Sequence, residues 1–271
     1  MIKKQDIRPK IYCLGLDNNL YVKIKKLGYV PVGLGGDNFT SEWIKDNTGE
    51  NISSKNPYYG EYSFHYWIWK NELVNINDDW IGFCTYRRFW AKKINSPIDQ
   101  FNNNILENVP DEWRDYDVIL GKKIDVTGIK LVKALKRGKK IFLKNPRYFF
   151  KKKRNIKFQF DFFHGSGNLD KAIDLLDNEN RNDFRNYVEN NQSYNEGNMF
   201  VARSKKIISN YYEAIFPWLQ KCESLFGFNL QGYENKRIYA FLAERFLPYW
   251  FNKNSKVLEW PVIFNDLRKN D

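Results

Sequence analysis

The sequence predicts an α/β fold built on a largely parallel β-sheet with helices flanking it. Three observations carry that reading. Strand-type and helix-type segments alternate along the chain, the pattern that a parallel sheet with helical crossovers produces. The strand-type segments are compact apolar runs closed by Gly, Asp or Asn, as in KIYCLGL at 10–16 and WIGFC at 80–84. No internal repeat or linker-like stretch interrupts the 271 residues, so one domain spanning 1–271 is expected. Hydrophobic residues at 42% and aromatics at 17% are ample for a packed core and exclude global disorder.

The elements follow in order. Residues 10–16 and 27–33 (LGYVPVG) read as the first two strands. The polar, turn-rich stretch from Asp37 to Asn56 reads as a long loop. A helix is expected over Tyr58 to Val74, because Tyr62, Tyr66, Trp69 and Leu73 recur at helical spacing behind Pro57. The strand WIGFC ends abruptly in Thr85-Tyr86-Arg87-Arg88. Residues 98–114 resemble a polar-faced helix and lead to the strand DVIL at 117–120. A helix over 168–191, a strand over 198–202 (NMFVA), helices over 205–226 and 233–251, and a strand in WPVIF complete the series.

The formal net charge of +12 is not spread evenly. Lys130 to Lys157 holds thirteen Lys or Arg and no Asp or Glu, leaving 31 basic against 32 acidic residues elsewhere. A uniformly basic nucleic-acid binder has a different distribution. Within a basic amphipathic insertion at about 129–157, Ile129, Val132, Leu135, Phe142 and Leu143 fall roughly on one helical face. Arg147-Tyr-Phe-Phe-Lys-Lys-Lys-Arg154 follows Pro146. Cations beside aromatic rings suit an anionic membrane surface, so Lys151, Lys152, Lys153 and Arg154 are the expected contact residues. A solvated face or a polyanion patch accounts for the same charges. Cys13, Cys84 and Cys222 are odd in number and widely spaced, which fits a reducing compartment. With no signal-type leader and no run of about 18 apolar residues, the expected location is cytoplasmic and peripheral on the inner face of the membrane.

Four blocks carry chemistry-bearing residues. Asp46-Asn-Thr-Gly-Glu-Asn51-Ile-Ser53 suits a loop wrapped closely around a polar ligand, or a plain surface turn. Glu61-Tyr-Ser-Phe-His-Tyr66-Trp67-Ile-Trp69-Lys70-Asn71 reads as core packing or as a wall on which a base or sugar ring stacks. Tyr86-Arg87-Arg88 ends a buried strand, where open α/β sheets bind ligands, and planar guanidinium forks grip a diphosphate bidentately. Asn195-Glu196-Gly197-Asn198 is a polar turn running into a strand, which places amides and a carboxylate at a pocket mouth or simply starts the strand.

Taken in order, NIS, YWIWKN, GxxxYRR, NMF and Leu242-Ala-Glu244-Arg245 resemble a bacterial family. Its members occur in capsule and exopolysaccharide gene clusters and are regarded as glycosyltransferases, although it is catalogued as a domain of unknown function. The resemblance runs from about residue 40 to 251. One departure stands out: the family's His-Tyr-Arg-Arg is here Thr85-Tyr86-Arg87-Arg88. The resemblance implies a Rossmann-like A-type glycosyltransferase fold and transfer from a nucleotide-sugar to a lipid-linked or growing surface polysaccharide. On that basis Asp46, Asn51, Ser53, Glu61, Trp67, Lys70, Tyr86, Arg87 and Arg88 are expected at the donor. His164, Asn195, Gly197, Asn198 and Arg245 are expected at the acceptor or sugar.

Glycosyl transfer builds negative charge on the departing diphosphate. The place of a metal-binding Asp-x-Asp after WIGFC is taken by Arg87-Arg88, so no metal is assigned, and dependence on manganese or magnesium stays open. Asp115-Tyr-Asp117 reads as a capping turn before DVIL. A carboxylate must accept the proton of the acceptor hydroxyl. Glu244 and then Glu196 are the expected bases, with Asp161 beside His164 a further candidate. Glu244 lies on an apolar helix, where its charge either pairs with an arginine or does chemistry. Two rival readings are a module that binds RNA or single-stranded DNA and a non-catalytic scaffold of polysaccharide assembly. A nucleic-acid partner is not favoured, because the polar blocks lie outside the basic segment.

Overall fold

The computed structural model describes residues 7–36, 38–77, 79–97, 101, 103–129 and 141–269. The chain forms two compact units. One comprises residues 1–122, 197–213 and 251–271; the other comprises 123–196 and 214–250.

The first unit is a mixed α/β structure with a mostly parallel sheet. Strands β1 (Lys10–Gly15), β2 (Val30–Gly33), β3 (Ile44–Lys45), β4 (Ile81–Thr85), β5 (Arg88–Trp90) and β6 (Val118–Gly121) come first. In the second unit, β7 (Lys123–Asp125) pairs antiparallel with β8 (Ser193–Asn195). Strands β9 (Phe200–Ala202), β10 (Val257–Trp260) and β11 (Val262–Phe264) return to the first unit's sheet. Its order is β10-β6-β9-β4-β1-β2-β3, with β5 bridging β4 and β11. Neighbours are parallel except around β9, which runs antiparallel to both β4 and β6, and around β5, which runs antiparallel to both β4 and β11.

Strand alternation sorts the core onto two faces. Tyr12, Phe83 and Phe200 meet the helix α3 (Tyr62–Asn71), whose His65 ring stands 4.4 Å from Phe83 and 5.7 Å from Phe200. Ile11, Cys13, Cys84, Ile119 and Val201 point to the opposite face, against Leu20, Ile24, Trp80, Trp113 and Trp260. Gly82 lets these strands approach: a Cβ there would lie 2.5 Å from Ile11 and 2.8 Å from Val201. The helix α1 (Tyr21–Lys26) connects β1 to β2, and the short α2 (Asn56–Tyr59) precedes α3.

The second unit is mainly helical. It contains α4 (Ile156–His164), α5 (Asn168–Ile173), α6 (Asn178–Asn190) and α8 (Tyr233–Lys236). It also takes the second part of α7 (Lys205–Phe226) and most of α9 (Ile238–Asn254). Asn155 and Asp177 cap α4 and α6 by accepting the N–H groups of Phe158 and Asn180. Phe184, Trp218, Phe246 and Tyr249 pack ring to ring, and the Trp218 indole donates to the Ala172 carbonyl at 2.7 Å.

Several expected elements differ. Among the described residues of 98–114 there is no α-helix: Leu106 N–H bonds Trp90, Lys92 N–H bonds Asn104, and only Asp111–Trp113 forms a helical turn. Backbone pairing beside β5 takes the groups that a helix would use internally. The expected helix at 58–74 breaks at Gly60 (φ +56), and that at 168–191 divides into α5 and α6. The long loop contains the two residues of β3. Helices α1 and α4 and the β7–β8 pair were not anticipated. The apolar face read at Val132 and Leu135 lies outside the described residues.

Candidate functional site

Parallel strands β1, β2 and β4 end together in Gly15, Gly33 and Thr85, and the lead-in to antiparallel β9 arrives at the same edge. This is the edge where open α/β sheets bind ligands. After Thr85 the chain reverses sharply, because Thr85 pairs with Arg88 as β4 turns into β5. Tyr86 is buried in the turn, and its N–H donates to Leu14 at 3.0 Å.

Three guanidinium groups gather around this turn. Arg87 is exposed, with its guanidinium carbon 5.2 Å from the Tyr86 ring, and among the described residues it makes no ion pair. Arg88 is half-buried and lies against Gly197, at which a Cβ would stand 3.3 Å from Arg88 Nη1. Arg268 stacks on Tyr86 at 4.8 Å and grips Asp266 through two hydrogen bonds, at 3.0 and 2.7 Å. The Arg268 bond, aided by Arg87, holds the Asp266 carboxyl down to about 2. The tail is carried here by backbone bonds: Asn265 N–H to the Arg87 carbonyl and Leu267 N–H to the Tyr86 carbonyl. Sequence reasoning missed Arg268 and Asp266, since no local motif marks a tail that folds back.

The NIS block is clasped to α3. Asp46 is buried; its carboxylate accepts from Gly35 N–H at 2.8 Å and from the Ser63 hydroxyl. Burial raises its carboxyl while both bonds oppose the rise. Asn51 accepts from the N–H and hydroxyl of Ser53, at 3.1 and 2.8 Å. The Trp67 indole donates to Thr48 at 3.0 Å, and Lys70 lies 4.0 Å from the Trp69 ring and 3.8 Å from Glu50. The Glu61 carbonyl accepts the N–H groups of Phe64 and His65 in the first turn of α3. The structure thus joins Asp46, Asn51, Ser53, Trp67 and Lys70 into one loop-to-helix clasp. His65 is fully buried, bonds Tyr212 at 2.6 Å and is lowered by burial to about 3, so it stays neutral. Asp117 accepts from Lys256 N–H at 2.9 Å, a fastening between β6 and β10. Among the described residues no group of three or more His, Cys, Asp or Glu is gathered that could hold a metal.

In the second unit Arg245 is the hub. It pairs with Glu244, donates to Gln159 at 2.8 Å and stacks on Tyr194 at 4.7 Å. Of the two roles open to Glu244, ion pairing with an arginine is present. His164 bonds the Glu234 carbonyl at 2.8 Å, stacks on Phe241 at 4.0 Å and is lowered, by burial and then Arg245, to about 3. Asn195 is buried in β8 opposite Lys123, and Glu196 beside it is exposed. Gly197 and Asn198 belong to the first unit, where the Asn198 backbone lies beside His65.

Lys151, Lys152 and Lys153 form one exposed turn next to Phe150, which is 70% exposed, and Leu143 is 78% exposed. Arg154 is a correction to the expected surface group. It is buried and donates to the carbonyls of Tyr148, Thr127 and Ile129, so it fastens the segment instead of facing outward. No helix among the described residues is long and apolar enough to cross a membrane.

The apo structure of the WbbM bifunctional glycosyltransferase is similar to this chain, with a TM-score of 0.66 and 22% sequence identity. The alignment covers 95% of this chain and 45% of that one, so this chain spans less than half the length of that protein. The similarity is one of fold, and it agrees with the A-type arrangement expected from the motif series. No curated protein matches. Residues 17–255 match the family described as Domain of unknown function (DUF4422), and the chain therefore belongs to that family.

Proposed function

We propose that this protein is a glycosyltransferase that takes its sugar from a nucleotide-sugar and adds it to a lipid-linked or growing surface glycan. The observation that supports it most is the gathering of Arg87, Arg88 and Arg268 around Tyr86 at the carboxyl edge of the parallel strands. As the bond from the anomeric carbon to the diphosphate breaks, positive charge grows on the sugar ring and negative charge on the leaving group. Pre-oriented guanidinium forks meet that negative charge bidentately. In this reading they do the work that a divalent metal does in other transferases.

The acceptor hydroxyl gives its proton to a carboxylate, for which Glu244 and Glu196 are the proposed groups. Lys151, Lys152, Lys153, Phe150 and Leu143 form the proposed contact with an anionic membrane on its cytoplasmic side, where a lipid-linked acceptor is met.

A thermal-shift screen against UDP-, GDP-, CMP- and dTDP-sugars, with manganese and with EDTA, tests the reading. One donor is expected to stabilise the protein by about 2.7 kcal/mol at 100 times its Kd, with or without chelator. No shift with any donor would overturn the transferase reading, and a shift only with manganese would overturn metal independence.

A further inference from the structure

The second unit contains a cavity of roughly 190 Å³, and of the residues singled out in the sequence only Asp161 lines it. It lies between residues 141–148, within the basic segment, and the turn from α4 to α5. Ile141 and Tyr148 supply apolar wall, while Lys144, Asn145, Asp161 and Ser166 supply donors and acceptors. Lys157 and Asp170 complete the lining but are committed to each other, at 2.6 Å, with Lys157 also on Glu189 and Asp170 also on Arg185.

Asp161 is the unusual member. Its residue is only 8% exposed, and Oδ1 is fixed by the Gly167 N–H at 3.1 Å. Its other oxygen makes no hydrogen bond among the described residues, although the side chain lines the cavity. A carboxylate fixed through one oxygen at the wall of a partly open polar cavity keeps acceptor capacity for a ligand's donor. Burial pushes its carboxyl up to about 6, against the pull of Gly167, Lys157 and Lys144.

The charge balance selects the ligand class. Asp170 is neutralised by Lys157 and Arg185, and Lys157 by Asp170 and Glu189, which leaves Lys144 against Asp161. Among the lining residues themselves, cations and carboxylates balance, so the wall presents no surplus of positive groups to a phosphate. What remains is a set of hydroxyl, amide, carboxylate and ammonium groups beside an aromatic ring, the composition that hydrogen-bonds a neutral polyol and packs its apolar ring face.

We propose that this cavity is a saccharide subsite in which Asp161 Oδ2 accepts a hydroxyl of a neutral sugar unit, with Lys144, Asn145 and Ser166 as flanking partners. The inference rests on the transferase reading for its biological sense, because the sugar bound is then a unit of the acceptor glycan.

Saturation-transfer NMR on the full chain with the methyl glycosides of galactose, glucose, mannose and N-acetylglucosamine tests it. Two variants accompany the wild type: Asp161→Asn, which keeps the shape and the Gly167 bond, and Ser166→Trp, which fills the cavity from an exposed turn position. At least one glycoside is expected to give a signal with the wild type that falls at least about tenfold in both variants, while nucleotide-sugar thermal shifts stay unchanged. Absence of any signal with the wild type, or a signal that survives Ser166→Trp, would overturn the subsite. Retained donor shifts in that case leave the transferase reading standing, whereas lost donor shifts with an intact, Asp161-dependent glycoside signal would remove the transferase reading and keep the subsite.

Discussion

Gly197 lies against the guanidinium of Arg88, closely enough that a methyl group in place of its hydrogen would stand 3.3 Å from Arg88 Nη1. Gly197 also has φ +87, a backbone conformation that side chains resist. Gly197→Ala is therefore expected to cost about 1–2 kcal/mol in stability and, separately, to displace Arg88 and weaken nucleotide-sugar binding. Gly227 (φ +61) has nothing within 4 Å of its Cβ position, so Gly227→Ala carries the strain alone. Denaturant melts and donor titrations on the pair separate the two effects.

The three arginines around Tyr86 are expected to differ in effect. Arg87 is exposed and without an ion pair among the described residues, so Arg87→Ala should leave stability within about 0.5 kcal/mol of wild type. Loss of a charge-assisted contact of about 1.5–3 kcal/mol should raise the donor Kd roughly tenfold to a hundredfold. Arg268→Ala removes both bonds to Asp266 and should weaken both stability and donor binding. Isothermal titration with the nucleotide-sugar found by screening checks the ranking.

Ser63→Ala takes one donor from the buried Asp46 carboxylate and leaves Gly35 N–H. A loss of about 1–3 kcal/mol is expected, because the acceptor stays buried. In a chain of this size that corresponds to a fall in melting temperature of several degrees, read by calorimetry.

Asp161 predicts a dependence on pH. Its folded carboxyl titrates at about 6, above its ordinary value of 3.8. The folded state therefore holds the proton more tightly than the unfolded chain, so stability is greatest at low pH on this account and declines as pH rises between those values. At pH 8 the ionised, buried carboxylate is a cost of about 3 kcal/mol. Asp161→Asn should accordingly raise stability at pH 8 and change it little at pH 4, measured by urea unfolding at both.

The basic segment separates into two kinds of residue. Replacing Lys151, Lys152 and Lys153 together by Ser should reduce binding to phosphatidylserine vesicles by about 1 kcal/mol per lysine, with the melting temperature unchanged. Arg154→Ala should do the reverse, since the side chain serves three buried carbonyls. Vesicle sedimentation beside thermal melts distinguishes them.

The strands were legible because each is a short apolar run between turn residues, and burial on both faces of a sheet demands that pattern. The stretch at 98–114 misled for a specific reason. Phe101, Ile105, Val109 and Trp113 recur every four residues, yet they reach the core from irregular chain pinned beside β5. Helix α4 went unread because its apolar residues follow directly on the basic stretch. Among the site residues, Tyr86, Arg87 and Arg88 stood out locally as charge at a strand end. Arg268 did not, because its place against Tyr86 depends on a return of the chain from about 180 residues away that no local pattern announces. The polar residues of the NIS block were noticed for their chemistry, and the structure uses them on one another.

That return of the chain bears on how the protein can be handled. The family match stops at residue 255, while β10, β11 and the backbone bonds of Asn265 and Leu267 to the Tyr86–Arg87 turn all lie beyond it. A fragment trimmed to the matched boundary would lose one border of the sheet and the brace over its arginine turn in a single cut. A fragment meant to keep the arginine turn therefore has to run through Leu267, and one cut at residue 255 is expected to melt at a lower temperature and to bind donor more weakly.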